Sequence, residues 1–245
     1  MNWILKGFGI LYHIWFFVVV FISIVLILPF IYITSLRETQ YHYFFKWMRR
    51  WGFFILGGMG LFPSVEWKFR PKKDEQYIII ANHSSEIDIM MTLALVPGCF
   101  VFIGKKELAK IPLFGYFYKK TNILVDRKSL TSKKNVLKRA AEKIAEGTGV
   151  CIYPEGGIPN DPERLSAFKM GAFKLAVEQG IPILPIVFPN NRKHFPDFTQ
   201  GGYPGILKAR VLPPIPTKDI SLQNLNELKQ KCFDLLDTNL EQMQS

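Results

Sequence analysis

The chain has 245 residues, 49% of them hydrophobic, and carries 31 Lys+Arg against 20 Asp+Glu for a net charge of +11. That length holds one good-sized domain plus an appendage. Three widely spaced cysteines, Cys99, Cys151 and Cys232, argue against a disulfide framework, and none has zinc-type spacing with His13, His42, His83 or His194. The basic excess suggests an anionic partner, whether nucleic acid, acidic lipid or a phosphorylated ligand, the plainer reading being that it keeps a greasy chain soluble. Nucleic acid is a poor candidate, because the cations are dispersed and no recognition motif accompanies them. An acidic lipid surface suits the apolar N-terminus better.

Residues 10–33, "ILYHIWFFVVVFISIVLILPFIYI", carry no charged residue. The run exceeds the ~20 apolar residues a spanning helix needs. It also exceeds the ~7–15-residue core of a signal peptide, and no small-residue cleavage site follows it. Tyr12, Trp15 and Tyr32 suit the two interfaces. Only Lys6 precedes the run, whereas Arg37, Lys46, Arg49 and Arg50 follow it. That bias puts the remainder of the chain on the cytoplasmic face, at the inner membrane if the source is bacterial. Next, "YHYFFKWMRRW" (41–51) mixes aromatics and cations as an interfacial helix does, and "WGFFILGGMGLFP" (51–63) is too short to span easily. Residues 1–63 therefore form a membrane-associated helical segment. It is either one span plus an interfacial stretch or a helical pair inserted from one side, and hydropathy leaves both open.

From residue 64 the composition is globular. Strands are expected at 76–82, 99–104, 122–127, 149–154, 181–189 and 206–214, several of them apolar throughout, as strands covered on both faces are. Helices are expected at 131–147, 166–180 and 221–243, the last with Leu222, Leu225, Leu228, Cys232, Leu236 and Leu240 on one face. Alternating strands and helices predict an α/β domain over 64–245, with a largely parallel sheet flanked by helices.

The stretch "YIIIANHSSEIDIMM" (77–91) sets His83 just past a strand end and Asp88 five positions later. Ser84 and Ser85 are good helix caps, and Ser85 to Asp88 has capping-box spacing, so one reading is purely structural. Residues five apart on one helix are separated by about 140° and do not meet. A histidine in the loop before the cap, however, can fold back so that Asp88 accepts from one ring nitrogen. The other nitrogen is then left as a base for a hydroxyl proton. A serine nucleophile is disfavoured, since no G-x-S-x-G elbow surrounds Ser84 or Ser85.

"NHSSEID" also resembles the N-H-x-x-x-x-D motif of the 1-acylglycerol-3-phosphate acyltransferase family of glycerolipid acyltransferases. Further blocks follow in the same order: "GKKELAKIPLFGYFYKKTNILVDRKS" (104–129), "YPEGG" (153–157), "FKMGAFKLAVEQGIPILPIVF" (168–188) and "PGILKARVLPPIPT" (204–217). The likeness runs over about residues 66–236. It implies an α/β acyltransferase domain and acyl transfer from acyl-CoA or acyl-carrier protein to a lysophospholipid hydroxyl, with neither metal nor other cofactor. By this resemblance His83 is the general base and Asp88 orients it. Asn82, Lys105, Arg127, Glu155, Gly156, Gly157 and Lys169 would bind substrate, with Lys105 and Arg127 as phosphate partners and the glycines allowing close backbone approach.

The likeness breaks at the third block, where the family's E-G-T-R reads "EGGIPN" and the arginine is missing. Lys105 and Arg127 suffice, or Arg164 reaches back, or the acceptor is another lysolipid such as a lyso amino-acid lipid. A thioesterase and a non-catalytic membrane-binding module are the readings outside this class.

Overall fold

The computed structural model describes residues 2–35, 41–126, 128–159, 165–198 and 200–244. Two helices come first, α1 (Asn2–Ser35) and α2 (Tyr41–Gly58), followed by β1 (Leu61–Trp67), β2 (Ile78–Ala81), α3 (Ile87–Leu95) and β3 (Phe100–Lys105). A helical turn (Lys106–Lys110) leads into α4 (Phe114–Thr121), β4 (Asn122–Val125), α5 (Leu130–Ala145) and β5 (Gly149–Ile152). The chain ends with α6 (Gly171–Gln179), β6 (Ile183–Val187), α7 (Asn191–His194), β7 (Gly205–Val211) and α8 (Leu225–Gln244).

The sheet has seven strands in the order β1-β7-β6-β2-β5-β3-β4. Every pairing is parallel except β6 with β7. Strand β2 is central, and its alternate residues face opposite sides. Ile79 and Ala81 enter a core shared with α1, α2 and α3, whereas Ile78 and Ile80 enter one shared with α5, α6 and α8. Because β2, β3, β4, β5 and β6 run the same way, their C-terminal ends all open on one edge. That edge of an open α/β sheet is where loops gather functional groups.

Helices α1 and α2 form an antiparallel pair. Tyr12 donates to the Met59 carbonyl, Trp15 to the Gly58 carbonyl and Trp51 to Ser23 Oγ, each at 2.8 Å, and Phe30 stacks on Trp47 at 4.4 Å. Residues 7–34 are long and apolar enough to cross a membrane. Yet α1 touches the sheet domain at several points along its length: His13 Nε2 lies 2.9 Å from the Pro196 carbonyl oxygen, Phe16 packs on Phe195 at 4.7 Å near mid-helix, and Tyr32 meets Tyr116 at 6.3 Å near the C-terminal end. Its other face exposes Phe8, Leu11, Phe17, Phe21, Leu26 and Ile33. Arg49 of α2 donates to the Ala94 carbonyl at the end of α3, and burial pulls its pKa down.

Besides α4 and α7, which the sequence reading did not include, two regions depart from it. Residues 51–63 hold the end of α2 and the start of edge strand β1, so the sheet begins before position 64. Pro63 is tolerated because β1 pairs only with β7. Helix α6 starts at Gly171 rather than 166, because the backbone ahead of it is occupied elsewhere: Ser166 N–H goes to Glu155 and Lys169 N–H to the Pro154 carbonyl.

Candidate active site

Strand β2 leads straight into Asn82 and His83 at the common edge. The Asn82 amide makes a reciprocal pair with the backbone of Phe188, 2.8 Å in each direction, and so clamps the ends of β2 and β6 together. Asn82 was expected to bind substrate; its side chain is committed to this clamp, although it also lines the adjoining cleft.

His83 lies in the loop before α3, and its ring folds back over the first turn. Nδ1 is 2.9 Å from Asp88 Oδ2. Asp88 is 0% exposed. Its Oδ2 also accepts the backbone N–H groups of Ser84 at 2.7 Å and Ser85 at 2.9 Å, while Oδ1 accepts from Asn191 Nδ2 at 2.7 Å. The carboxylate thus supplies the reach-back half of a capping box. The serine half is largely absent. The Ser85 hydroxyl donates to the Phe195 carbonyl at 2.5 Å and takes only a long 3.3 Å contact from Ile87 N–H.

With every bond to Asp88 coming from a donor, His83 Nδ1 carries its proton toward the carboxylate, and Nε2 is left as the basic nitrogen. The ring plane is held by Tyr153, stacked at 4.1 Å and 17°. Burial pushes the Tyr153 phenol well above its ordinary pKa, and its hydroxyl lies 3.1 Å from Thr92 Oγ1. Thr92 in turn donates to the Asp88 carbonyl at 2.8 Å, so the stacking partner is fixed to the same helix as the carboxylate.

Glu155 follows β5 and is buried beside the histidine. Its Oε1 accepts the His83 N–H at 2.8 Å and its Oε2 accepts the Ser166 N–H at 2.9 Å. Burial raises its pKa, and the two backbone donors oppose that rise. Glu155 therefore fixes the loop that carries His83. Gly156 needs its φ of +82°, and a Cβ there would lie 2.0 Å from Lys169 Nζ. The ammonium of Lys169 accordingly sits on the "EGG" turn. Gly157 follows in that turn and lies partly exposed. Lys105 ends β3, exposed at the same edge but two strands from β2, about 10 Å at the usual strand spacing. Arg127 and Arg164 lie outside the described residues.

The cleft beside the dyad measures about 40 Å³ and is lined by His83, Ser84, Glu155, Phe188 and Arg192, among others. Asn191 and Arg192 had no counterpart in the sequence reading. No local pattern marks them, and they reach Asp88 and Ser84 from more than 100 positions away. A larger apolar groove of about 520 Å³ lies between α1 and α4, lined by Leu28, Pro29, Tyr32, Leu113 and Tyr116.

Residues 65–189 match the family model described as Acyltransferase, about half of the chain. The chain belongs to the acyltransferase family. Among curated acyltransferases, the 1-acyl-sn-glycerol-3-phosphate acyltransferase of Haemophilus influenzae is 30% identical over 176 residues, covering 70% of this chain and 71% of that protein. The enzyme of the same name from Escherichia coli is 27% identical over 186 residues, covering 71% and 72%. The fold matches the crystal structure of the 1-acyl-sn-glycerophosphate acyltransferase PlsC from Thermotoga maritima, with a TM-score of 0.82 and 23% identity over 97% of this chain and 96% of that one. The acyltransferase match contains His83, Asp88, Lys105 and Glu155 and stops just short of Asn191 and Arg192.

Proposed function

We propose that this protein transfers a fatty acyl group from acyl-CoA or acyl-carrier protein to the sn-2 hydroxyl of 1-acyl-sn-glycerol 3-phosphate, giving phosphatidic acid for phospholipid synthesis. The observation that carries the chemistry is the 2.9 Å contact between His83 Nδ1 and a fully buried Asp88. In this reading Nε2 takes the proton of the acceptor hydroxyl as its oxygen attacks the thioester carbonyl. Asp88 supports the imidazolium that forms. The tetrahedral intermediate then collapses, the C–S bond breaks, and the departing sulfur takes the proton back from Nε2. The substrate's own hydroxyl is the nucleophile, so no acyl-enzyme is formed.

The acceptor is assigned from the relatives' names and from cations near the dyad. Lys169 sits on the "EGG" turn, and Lys105 stands at the same sheet edge. An ammonium in place of the missing arginine is consistent with a phosphate headgroup. The membrane reading favours one-sided insertion. A helix that touches the domain from His13 through Phe16 to Tyr32 cannot stand upright as an independent span, whereas its exposed apolar face can lie in one leaflet. The dyad would then work at the cytoplasmic face.

The deciding experiment is an acceptor panel, with purified protein in detergent, an acyl thioester and each lysolipid in turn, read by lipid mass spectrometry. Conversion of lysophosphatidate to phosphatidate is expected. Acylation of another lysolipid, a lyso amino-acid lipid for instance, with lysophosphatidate untouched, would overturn the acceptor assignment.

A further inference from the structure

Asn191 is fully buried, with one polar end engaged and the other orphaned. Nδ2 donates to Asp88 Oδ1 at 2.7 Å. Its Oδ1 is buried and has no hydrogen-bond partner among the described residues. A turned-round amide would set two acceptor oxygens against each other, so Asp88 dictates the orientation. An unpaired buried carbonyl is costly to keep. A side chain retained only for packing would have no need of it.

The other half of the argument is Asp88 itself. Three donors crowd Oδ2, from Ser84, Ser85 and His83, whereas Asn191 is the one donor to Oδ1 among the described residues. Oδ1 is shielded from water with the rest of the side chain. Asn191 therefore sets the carboxylate's rotation and so the direction in which Oδ2 meets the imidazole.

Its backbone is anchored independently. The neighbouring Asn190 side chain binds the Ile206 carbonyl at 2.9 Å and the Lys208 N–H at 2.8 Å across β7, and Phe195 N–H returns to the Asn191 carbonyl at 2.8 Å. Ser85 also donates to the Phe195 carbonyl. The turn after β6 is thus tied to the dyad loop and the start of α3 at three points, the third being the 3.4 Å contact of Arg192 Nη1 with the Ser84 carbonyl. Nearby titratable groups are His83 on Asp88 and Glu155 behind the His83 N–H, with Arg192 and His194 on Asn191's own turn.

We propose that Asn191 is a positioning residue of the acyl-transfer site, acting through Asp88 to hold His83 in register with the acceptor hydroxyl. This rests on the reading of His83 and Asp88 as the working dyad.

The test uses the full chain in detergent and three variants assayed for kcat, KM and pH profile, each checked by circular dichroism and melting. Asn191→Leu keeps the branched outline, with bulkier methyls, and removes the donor. It should lower kcat on the order of tenfold or more, with both KM values within about twofold. Asn191→Asp puts two carboxyl groups together, which share one proton. That proton can serve as the missing hydrogen bond until it leaves. The variant should therefore keep part of its kcat at low pH and lose it as pH rises, across a range where the parent is flat. This arm decides the matter even if Asn191→Leu fails to fold. A kcat within twofold of the parent in folded Asn191→Leu, or an Asn191→Asp profile parallel to the parent's, would overturn the proposal. His83→Ala separates the two levels. If it stays active, the dyad reading fails and takes this inference with it. If it is inactive while both Asn191 variants behave as the parent, only the role of Asn191 falls.

Discussion

The dyad loop and the outer face of α1 are held by opposite means. Around His83 nearly every polar atom is committed: Asp88 takes four donors, Glu155 two, and the imidazole is pinned by one bond and one stacked ring. On the outer face of α1, Phe8, Leu11, Phe17, Phe21, Leu26 and Ile33 are exposed, and the ring contact of Phe17 is with its own helix neighbour Phe16, edge to face at 5.6 Å. Proton transfer needs a fixed distance and a fixed tautomer, so it is built from buried hydrogen bonds. Lipid contact needs apolar area, which any set of large side chains supplies. Single-atom changes should therefore be severe in the first region and nearly silent in the second, where only several changes together register.

The largest expected effect is at Asp88. Asp88→Asn removes the charge facing the imidazolium and presents an N–H where three donors already converge. A kcat loss of about 10²- to 10⁴-fold is expected, together with a lowered melting temperature, since a buried acceptor set is broken. Steady-state kinetics and a thermal melt check both. Next comes Gly156→Ala, which forces a side chain into φ of +82° and into Lys169 Nζ. The left-handed backbone alone costs about 1–2 kcal/mol. The displaced ammonium should raise KM for the phosphate-bearing acceptor several-fold while leaving the thioester KM nearly unchanged.

The outer face should respond differently. Phe17→Asp with Phe21→Asp should weaken binding to anionic vesicles in a flotation assay. Turnover of a monomeric short-chain acceptor should stay within about twofold, while activity on vesicle-borne acceptor falls. If the double variant lost activity equally on both acceptors, the separation of the two regions would be wrong. The smallest effect expected on stability is the one that follows the protonation of Glu155. Burial raises its pKa, so the folded state binds its proton more tightly than the unfolded chain. Its contribution to stability is fully present below the ordinary carboxylate value of about 4.3 and is lost as pH rises through the raised value. Glu155→Gln should flatten that part of the stability–pH curve, seen as melting temperatures that change less between acid and neutral pH.

The two regions were also unequally readable in the sequence. Strands such as 76–82 and 181–189 announce themselves, because β2 and β6 are buried on both faces and need apolar residues throughout. The His83–Asp88 spacing was readable because both partners sit on one short loop-to-helix junction. Residues 51–63 were not, since an apolar helix end and the first residues of an edge strand are written in the same apolar alphabet. Asn82 looked like part of a binding motif, and only the register of β2 against β6 reveals its clamp on Phe188. Asn191 was invisible for a similar reason. Its partner lies 103 positions away and is brought to it by the placement of β6 beside β2.

The most direct test of the central claim, attack by a hydroxyl that His83 activates, is the stoichiometry of thiol release. The purified enzyme is given acyl thioester with and without lysophosphatidate, and thiol, phosphatidate, free fatty acid and protein mass are followed together. The account predicts thiol only when acceptor is present, in equal amount to phosphatidate, with no acyl adduct on the protein and at least ~10²-fold slower release in His83→Ala. Thiol and free fatty acid appearing without acceptor, an acylated protein, or a His83→Ala variant as fast as the parent would contradict it.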